Sequence, residues 1–173
     1  GFNLIEFNKQ KTFEVREIFV SNERLKLLEE NLILCFTGFS RTAEKIAKYQ
    51  IETTPSKEKE LNEMIEILIE AKEILNNERI SLDEFGKLLN EQWLLKRGLT
   101  EHITNPAIDD IYEAAINSGA IGGKLLGAGG GGFMIFYAKK KNHSKIKESL
   151  KNKLFVPFRF EKTGSQIIYF SHD

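Results

Sequence analysis

At 173 residues the chain has the length of one ordinary globular domain, and its 41% hydrophobic content is enough to form a buried core. Lys and Arg together number 25, as do Asp and Glu, so no net charge favours nucleic acid, and no apolar run approaches the roughly 18 residues of a membrane span. The single cysteine, Cys35, fits a reducing compartment, and we expect a cytoplasmic domain. Because Gly1 is not methionine, the chain is expected to be processed, cut or incompletely represented.

Two short strands and a helix are predicted first. Residues 1–7 and 12–18 alternate apolar and polar side chains around a turn, which predicts two half-buried strands. Ser21 can cap a short helix that ends near Glu30. The apolar run of residues 31–36 is then typical of a buried central strand.

A small polar turn follows this strand and opens a helix at about residues 42–50. It contains Thr37, Gly38, Ser40 and Arg41. The free N–H groups of a helix start, two hydroxyls and a guanidinium are groups that bind phosphate. The same residues also allow a structural interpretation, with Ser40 as a helix cap and Arg41 as an exposed residue of the first turn.

A long amphipathic helix is predicted over residues 57–77. Ser56 follows a break at Pro55 and can cap this helix. Its apolar residues recur at helical spacing, so we expect the stripe to face the core or a domain interface.

Two further helices are predicted from their caps. Ser81 and Glu84 match a capping box, which predicts a helix that runs to about Lys96. Asn105, followed by a proline, is a predicted N-cap of a helix that stops at Ser118.

The charged residues of these helices have structural explanations. Lys96 and Arg97 complement the negative end of a helix dipole. Asp109 and Asp110 are adjacent and point to different sides, so they are not expected to form an acid-base pair. His102 has no histidine or cysteine at ligand spacing, so no metal site is predicted.

A glycine-rich stretch dominates the second half of the chain. Residues 118–133 hold eight of the 13 glycines and lead into the apolar run 133–138, a predicted strand. Such a cluster between a helix and a strand predicts a shaped loop whose N–H groups converge on an anion such as phosphate. Lys124 precedes the main cluster, unlike the lysine of a Walker A loop, and a dinucleotide-binding fold needs the reverse order of strand and helix. The alternative is a flexible turn that only lets a helix pack against a strand.

A family resemblance adds to this interpretation. Residues 123–133, Gly-Lys-Leu-Leu-Gly-Ala-Gly-Gly-Gly-Gly-Phe, resemble the third, C-terminal glycine-rich motif of the GHMP kinases, a group that includes galactokinase, homoserine kinase and mevalonate kinase. Residues 31–43 and 93–112 further resemble the branch that phosphorylates heptose 7-phosphate. The resemblance covers nearly the whole chain, but only the second half of such an enzyme.

The predicted fold class is α+β. The order of elements favours two layers, a mostly antiparallel sheet with helices packed on it, and the resemblance implies a ferredoxin-like arrangement. It also implies that residues 1–173 are a GHMP kinase C-terminal domain, with residues 1–20 the tail of the N-terminal domain. The catalytic aspartate, the main ATP loop and the Mg²⁺ ligands are expected in an N-terminal half outside this chain.

The implied activity is transfer of the ATP γ-phosphoryl group to the anomeric hydroxyl of a sugar phosphate. ATP and Mg²⁺ are the implied cofactors, the N-terminal half is the implied partner, and a homodimer is a possible assembly. Besides the turn at residues 37–41, the implied substrate- and phosphate-binding residues are Lys124, Gly127, Ala128, Gly129, Gly130 and Gly131. The resemblance also brings Lys96 and Arg97 near the substrate pocket.

No catalytic residue is assigned within the chain, which is expected to be inactive alone. Two alternatives remain at this stage. One is a GHMP kinase for galactose, fucose or a mevalonate-type alcohol. The other is a non-catalytic α+β module that binds a ligand.

Overall fold

The computed structural model describes residues 2–40, 43–161 and 164–170. The strands are β1 (Asn3–Phe7), β2 (Phe13–Glu17), β3 (Leu32–Phe36), β4 (Gly122–Leu125), β5 (Phe133–Tyr137) and β6 (Leu154–Val156). The α-helices are α1 (Asn22–Asn31), α2 (Ala43–Thr53), α3 (Glu58–Asn76), α4 (Leu82–Arg97), α5 (Pro106–Asn117) and α6 (His143–Ser149). None of the described helices is both long and apolar enough to cross a membrane.

The main sheet has four antiparallel strands in the order β4-β5-β3-β6. Helices α2 to α5 connect β3 to β4, and α6 connects β5 to β6. This connectivity and strand order are those of a ferredoxin-like fold, which confirms the predicted α+β class. The run at residues 31–36 forms the interior strand β3, as its continuous hydrophobicity predicted.

The core lies between this sheet and the helices. Its fully buried side chains come from both layers: Cys35, Leu125, Met134 and Phe136 from the strands, and Trp93, Ile108, Ala115 and Ile146 from the helices. Burial raises the pKa of the Cys35 thiol to about 11, so it remains protonated at neutral pH.

Three predicted helix caps are confirmed. The side chains of Ser21, Ser81 and Asn105 each accept a hydrogen bond from a backbone N–H in the first turn of α1, α4 and α5, at 3.1 to 3.2 Å. These caps satisfy N–H groups that have no partner inside the helix, and they fix where the three helices begin.

Two other predicted caps are wrong. Ser56 lies in a short 3₁₀ helix and its hydroxyl donates to the carbonyl of Thr53 at 2.8 Å, so α3 begins later, with Lys57 at the N-cap. Glu84 does not complete a capping box, because its carboxylate accepts from the Lys87 ammonium one turn further along, at 2.9 Å.

Helix α3 packs one side against the core. Ile74 and Leu75 are buried, and Leu61, Met64, Ile67 and Ala71 are partly buried against the core, whereas Ile65 and Leu68 are 54% and 49% exposed. The predicted apolar stripe therefore contacts the core along the helix, most deeply over the last turn, and its flank stays on the surface.

The end of α3 is held by a buried guanidinium. Arg24 on α1 is only 8% exposed, and it donates to the carbonyls of Leu75 at 3.0 Å and Ile80 at 2.8 Å. We expect Arg24→Met to lower the free energy of unfolding by about 3 kcal/mol, because it leaves these carbonyls unpaired. Urea denaturation measures this, with Lys26→Met on the exposed side of α1 as the control, expected within about 0.5 kcal/mol of wild type. An equal effect of both variants would contradict the role of Arg24.

Strands β1 and β2 form a separate two-stranded sheet that carries an apolar face. Ile5 pairs with Val15 and Phe7 with Phe13 across the ladder, and all four side chains are at least 50% exposed. The prediction of two strands is confirmed, but the prediction that they are half-buried is wrong, because no part of the described chain covers this face.

Candidate phosphate-binding loop

The glycine-rich stretch is a strand, a loop and a second strand. Residues Gly122–Leu125 form β4 and pair with β5, which leaves residues 126–132 as the connection. The interpretation of residues 118–132 as one continuous loop is therefore corrected. A Cβ on Gly122 would lie 2.0 Å from the carbonyl oxygen of Gly86, and one on Gly123 would lie 2.4 Å from the Phe136 ring. These two glycines permit close packing of a strand.

The remaining glycines shape the connection. Gly127, Gly129, Gly130, Gly131 and Gly132 all have positive φ, between 75° and 156°. Other residues rarely adopt this conformation, so the sequence of the loop follows from its backbone path. The predicted shaped loop is confirmed, over a shorter range.

Two carbonyls of the loop are held by side chains from helices. The Gln50 amide on α2 donates to the carbonyl of Ala128 at 2.7 Å. The Lys96 ammonium on α4 donates to the carbonyl of Gly127 at 2.5 Å. Both contacts use carbonyl groups of the loop and occupy none of its N–H groups.

Two N–H groups of the loop are bound by other segments. The N–H of Gly130 donates to the carbonyl of Ile103 at 2.8 Å, and that of Gly132 to the carbonyl of Phe39 at 2.9 Å. The turn after β3 and the segment between α4 and α5 therefore both support the loop. The described part of the predicted turn, residues 37–40, and the predicted loop at residues 127–131 therefore meet here.

Four other N–H groups of the loop lack an acceptor among the described residues, and they differ in exposure, from exposed Gly127 to buried Gly129. Within the described part of the chain, the N–H groups of Gly127, Ala128, Gly129 and Gly131 have no hydrogen-bond acceptor. Gly127 is exposed, and a Cβ placed there would meet nothing within 4 Å. Backbone N–H groups in a glycine loop of this kind can bind an anion.

Thr37 joins the turn to the loop. Its hydroxyl accepts from the N–H of Gly132 at 3.1 Å and lies 3.0 Å from the carbonyl oxygen of Phe39, and its own N–H donates to the carbonyl of Gly132 at 2.9 Å. The side chain is fully buried. Its predicted contact with phosphate stays a prediction, and this geometry argues for a structural role instead.

The rest of the turn faces outward. Gly38 and Ser40 are exposed, as a ligand contact requires. The Lys153 ammonium lies beside them and donates to the carbonyl of Thr37 at 3.0 Å. Arg41, the predicted phosphate fork, lies outside the described residues, so its contact stays a prediction.

Two half-buried lysines give the loop a positive charge. Lys124 lies on β4, and burial lowers its pKa. Burial and the charge of Lys124 lower the pKa of Lys96 to about 8. Neither ammonium takes part in an ion pair within the described chain. The sequence predicts a helix-dipole role for Lys96, whereas its contact with Gly127 follows from the packing of α4 on β4.

The lowered pKa of Lys96 predicts a pH-dependent stability. The folded pKa of about 8 lies below the ordinary lysine value of 10.5, so folding destabilises the ammonium at pH 7 and this cost disappears as the pH rises from 8 to 10.5. We expect Lys96→Met to raise Tm at pH 7 by about 3 °C, allowing for partial exposure, and to lose this advantage by pH 10.5. Thermal unfolding across this range measures it, with Lys87→Met on the exposed side of α4 as the control. A difference that does not change with pH would contradict the assignment.

A basic residue at the end of α4 pairs with an acidic residue in the first turn of α5. Arg97 contacts Asp109 at 3.0 Å, and Asp109 also accepts from the Thr104 hydroxyl at 2.7 Å. The prediction that Asp109 is not half of a carboxylate dyad fits this arrangement. His102 stacks on Tyr49 with ring centroids 3.8 Å apart.

The chain combines a ferredoxin-like α+β domain with a glycine loop between β4 and β5. The family model for the C-terminal domain of GHMP kinases matches residues 71–156. The chain is 34% identical over 169 residues, or 95% of its length, to the D-glycero-alpha-D-manno-heptose 7-phosphate kinase of Campylobacter jejuni. It therefore belongs to the GHMP kinase family. The chain spans about half of that relative, 49% of its length.

Solved structures show the same fold. A mevalonate kinase from L. major, in complex with R-mevalonate, superposes with a TM-score of 0.68 at 19% identity. The superposition covers 87% of this chain and 44% of the mevalonate kinase chain. A D-glycero-D-manno-heptose 1-phosphate kinase from Bacteroides thetaiotaomicron gives a TM-score of 0.58 at 22% identity and covers 92% and 42%. At these identities the likeness concerns the fold.

Proposed function

We propose that this chain is the C-terminal part of an ATP-dependent sugar-phosphate kinase, with heptose 7-phosphate as the substrate. The main support is the loop at residues 126–132, where four backbone N–H groups lack an acceptor among the described residues. These groups lie close to Lys96 and Lys124, which have no counter-ion there. Phosphoryl transfer depends on positioning and charge neutralisation, and this loop offers both. The similarity to the Campylobacter heptose 7-phosphate kinase supports the choice of sugar.

In this proposal the domain binds and orients phosphate, and the chemistry is completed elsewhere. Asp109 is held by Arg97, and the Cys35 thiol is buried, so neither serves as a base or nucleophile. The described residues contain no cluster of three His, Cys, Asp or Glu side chains that could hold a metal, so they do not fit a magnesium site. ATP supplies the phosphoryl group, and an N-terminal half supplies the catalytic residues. We retain the cytoplasm as the proposed compartment, which the free thiol of Cys35 supports.

The β1-β2 hairpin fits the proposal that residues 1–20 belong to the N-terminal domain. A two-stranded sheet is marginally stable alone, and this one exposes Phe7 and Phe13 by 81% and 63%. Contact with the N-terminal half would bury this apolar face and attach the two halves to each other.

A chimera tests the proposed function. The N-terminal half of the Campylobacter relative is fused to this chain and assayed with ATP and heptose 7-phosphate by ³¹P NMR. The proposal predicts a new anomeric phosphate from the chimera and none from the chain alone. Turnover by the chain alone would refute the dependence on an N-terminal half. A folded chimera that binds the sugar phosphate without turnover would favour the non-catalytic module.

A further inference from the structure

We propose that Lys96 and Lys124 together form a two-cation subsite that binds the phosphate already present on the sugar substrate. This inference rests on the proposed function, and it assigns Lys96 and Lys124 one shared ligand group, the phosphate of the sugar, which is distinct from the phosphates of ATP. The lysine pair would determine specificity for a phosphorylated over a neutral sugar.

The packing of α4 on β4 brings the two lysines to the loop. Gly122 on β4 contacts the backbone of Gly86 on α4, and the Lys96 ammonium reaches the carbonyl of Gly127. From Gly86 to Lys96 the helix rises about 15 Å. From Gly122 to Leu125 strand β4 advances about 10 Å toward the loop. The helix and strand therefore run side by side in the same direction, and both end at the loop.

The two ammonium groups combine partial burial with the lack of a counter-ion. Lys87, on the exposed part of α4, pairs with Glu84 at 2.9 Å, and Lys139 pairs with Asp83 at 2.6 Å. Lys96 and Lys124 are less exposed than an ordinary surface lysine, are close enough to interact electrostatically, and have no carboxylate partner within the described residues. Two half-buried like charges destabilise the fold unless an anion joins them.

A phosphate monoester matches this pair in charge. It carries close to two negative charges at pH 7 and three terminal oxygens, so it can accept a charge-assisted hydrogen bond from each ammonium. A neutral sugar gains neither contact. The triphosphate of ATP is accompanied by a metal ion that already neutralises part of its charge, so the pair favours the monoester.

Binding measurements on the full chain test the subsite. The probes are mannose 6-phosphate, mannose and the non-hydrolysable nucleotide AMPPNP, titrated by calorimetry. We expect Lys96→Gln and Lys124→Gln each to weaken mannose 6-phosphate about tenfold, the change produced by loss of one hydrogen bond to a charged group. Mannose should bind no variant, and AMPPNP, titrated into the corresponding chimeras because the main ATP loop is expected in the N-terminal half, should bind all of them alike. Lys87→Gln, on the same helix, is the control and should leave every affinity unchanged.

The contrary results are equally defined. The subsite is overturned if wild type does not bind mannose 6-phosphate, if both lysine variants bind it like wild type, or if AMPPNP is weakened as strongly as the sugar phosphate. Circular dichroism identifies any variant that fails to fold, and Lys96→Arg, which keeps the charge, then provides the test by retaining more affinity than Lys96→Gln. If the lysine variants lose sugar-phosphate binding but the chimera is inactive, the kinase proposal is refuted and the subsite is kept. If the chimera is active but the lysine variants bind the sugar phosphate like wild type, the subsite is refuted and the kinase proposal is kept.

Discussion

Gly122→Ala is expected to lower the free energy of unfolding by about 3 kcal/mol, because the added methyl overlaps the backbone of α4. Its Cβ would lie 2.0 Å from the carbonyl oxygen of Gly86 and 2.9 Å from the amide nitrogen of Asn90. Both atoms belong to a helical backbone, so no side-chain rotation relieves the overlap. Helix α4 must move away from β4, and the contact of Lys96 with the loop is lost with it.

The matched control for this variant is Gly98→Ala. Gly98 is exposed, has a φ of −76° and lies at the C-terminal end of the same helix. It should change the stability by no more than about 0.5 kcal/mol. Urea denaturation of both variants measures the difference. A cost below about 1 kcal/mol for Gly122→Ala would mean that the close approach of α4 to β4 is wrong.

Gly127→Val is expected to lower kcat of the chimera about 100-fold, the effect of losing a positioned backbone donor to a developing negative charge. Gly127 has a φ of 75°, where a β-branched residue is strained, so the loop backbone must rotate and redirect its free N–H groups. The space around its Cβ is open, so the fold is preserved. Gly129 is a poorer probe, because a Cβ there would lie 2.9 Å from the Ile103 backbone.

Gly164→Val is the control for strain alone. Gly164 has a φ of 65°, is exposed, and has open space around its Cβ, but it lies in the C-terminal segment. Both variants should cost a similar 1–2 kcal/mol in stability, roughly that of one residue in the left-handed region. Only Gly127→Val should lose activity in the steady-state assay. Equal kcat values for the two variants would mean that the loop is not part of the phosphate site.

The elements of this fold follow largely from local sequence patterns. Caps at Ser21, Ser81 and Asn105 depend only on the residues beside them, so they were predictable. The cap at Ser56 was not, because Pro55 continues the chain into a 3₁₀ turn before α3 begins. The outcomes differ because, at Ser56, a 3₁₀ turn competes locally with the first turn of an α-helix.

Strand β4 was missed because its first two residues are glycines, which local propensity places in loops. Gly122 and Gly123 lie in a strand because α4 and Phe136 leave no room for a side chain. This reason is tertiary, and only the packing of the helix on the sheet shows it.

The candidate site was predicted in part. The glycine loop and its neighbouring turn were found from composition and from the family motif, and they meet through Gly132 and Phe39. The contacts of Gln50 and Lys96 with the loop were not found, because each joins residues far apart in the chain. Helical periodicity identifies the side of a helix that is buried, but not the loop that a side chain reaches.

The most direct test of the central claim is a ¹H–¹⁵N titration of the full chain with inorganic phosphate. If the loop at residues 126–132 binds phosphate through its free N–H groups, the amide signals of Gly127, Ala128, Gly129 and Gly131 move downfield and saturate together. The amide of Gly130, which already donates to Ile103, should move less. Unchanged signals for these four amides, with shifts elsewhere or none, would contradict the phosphate loop.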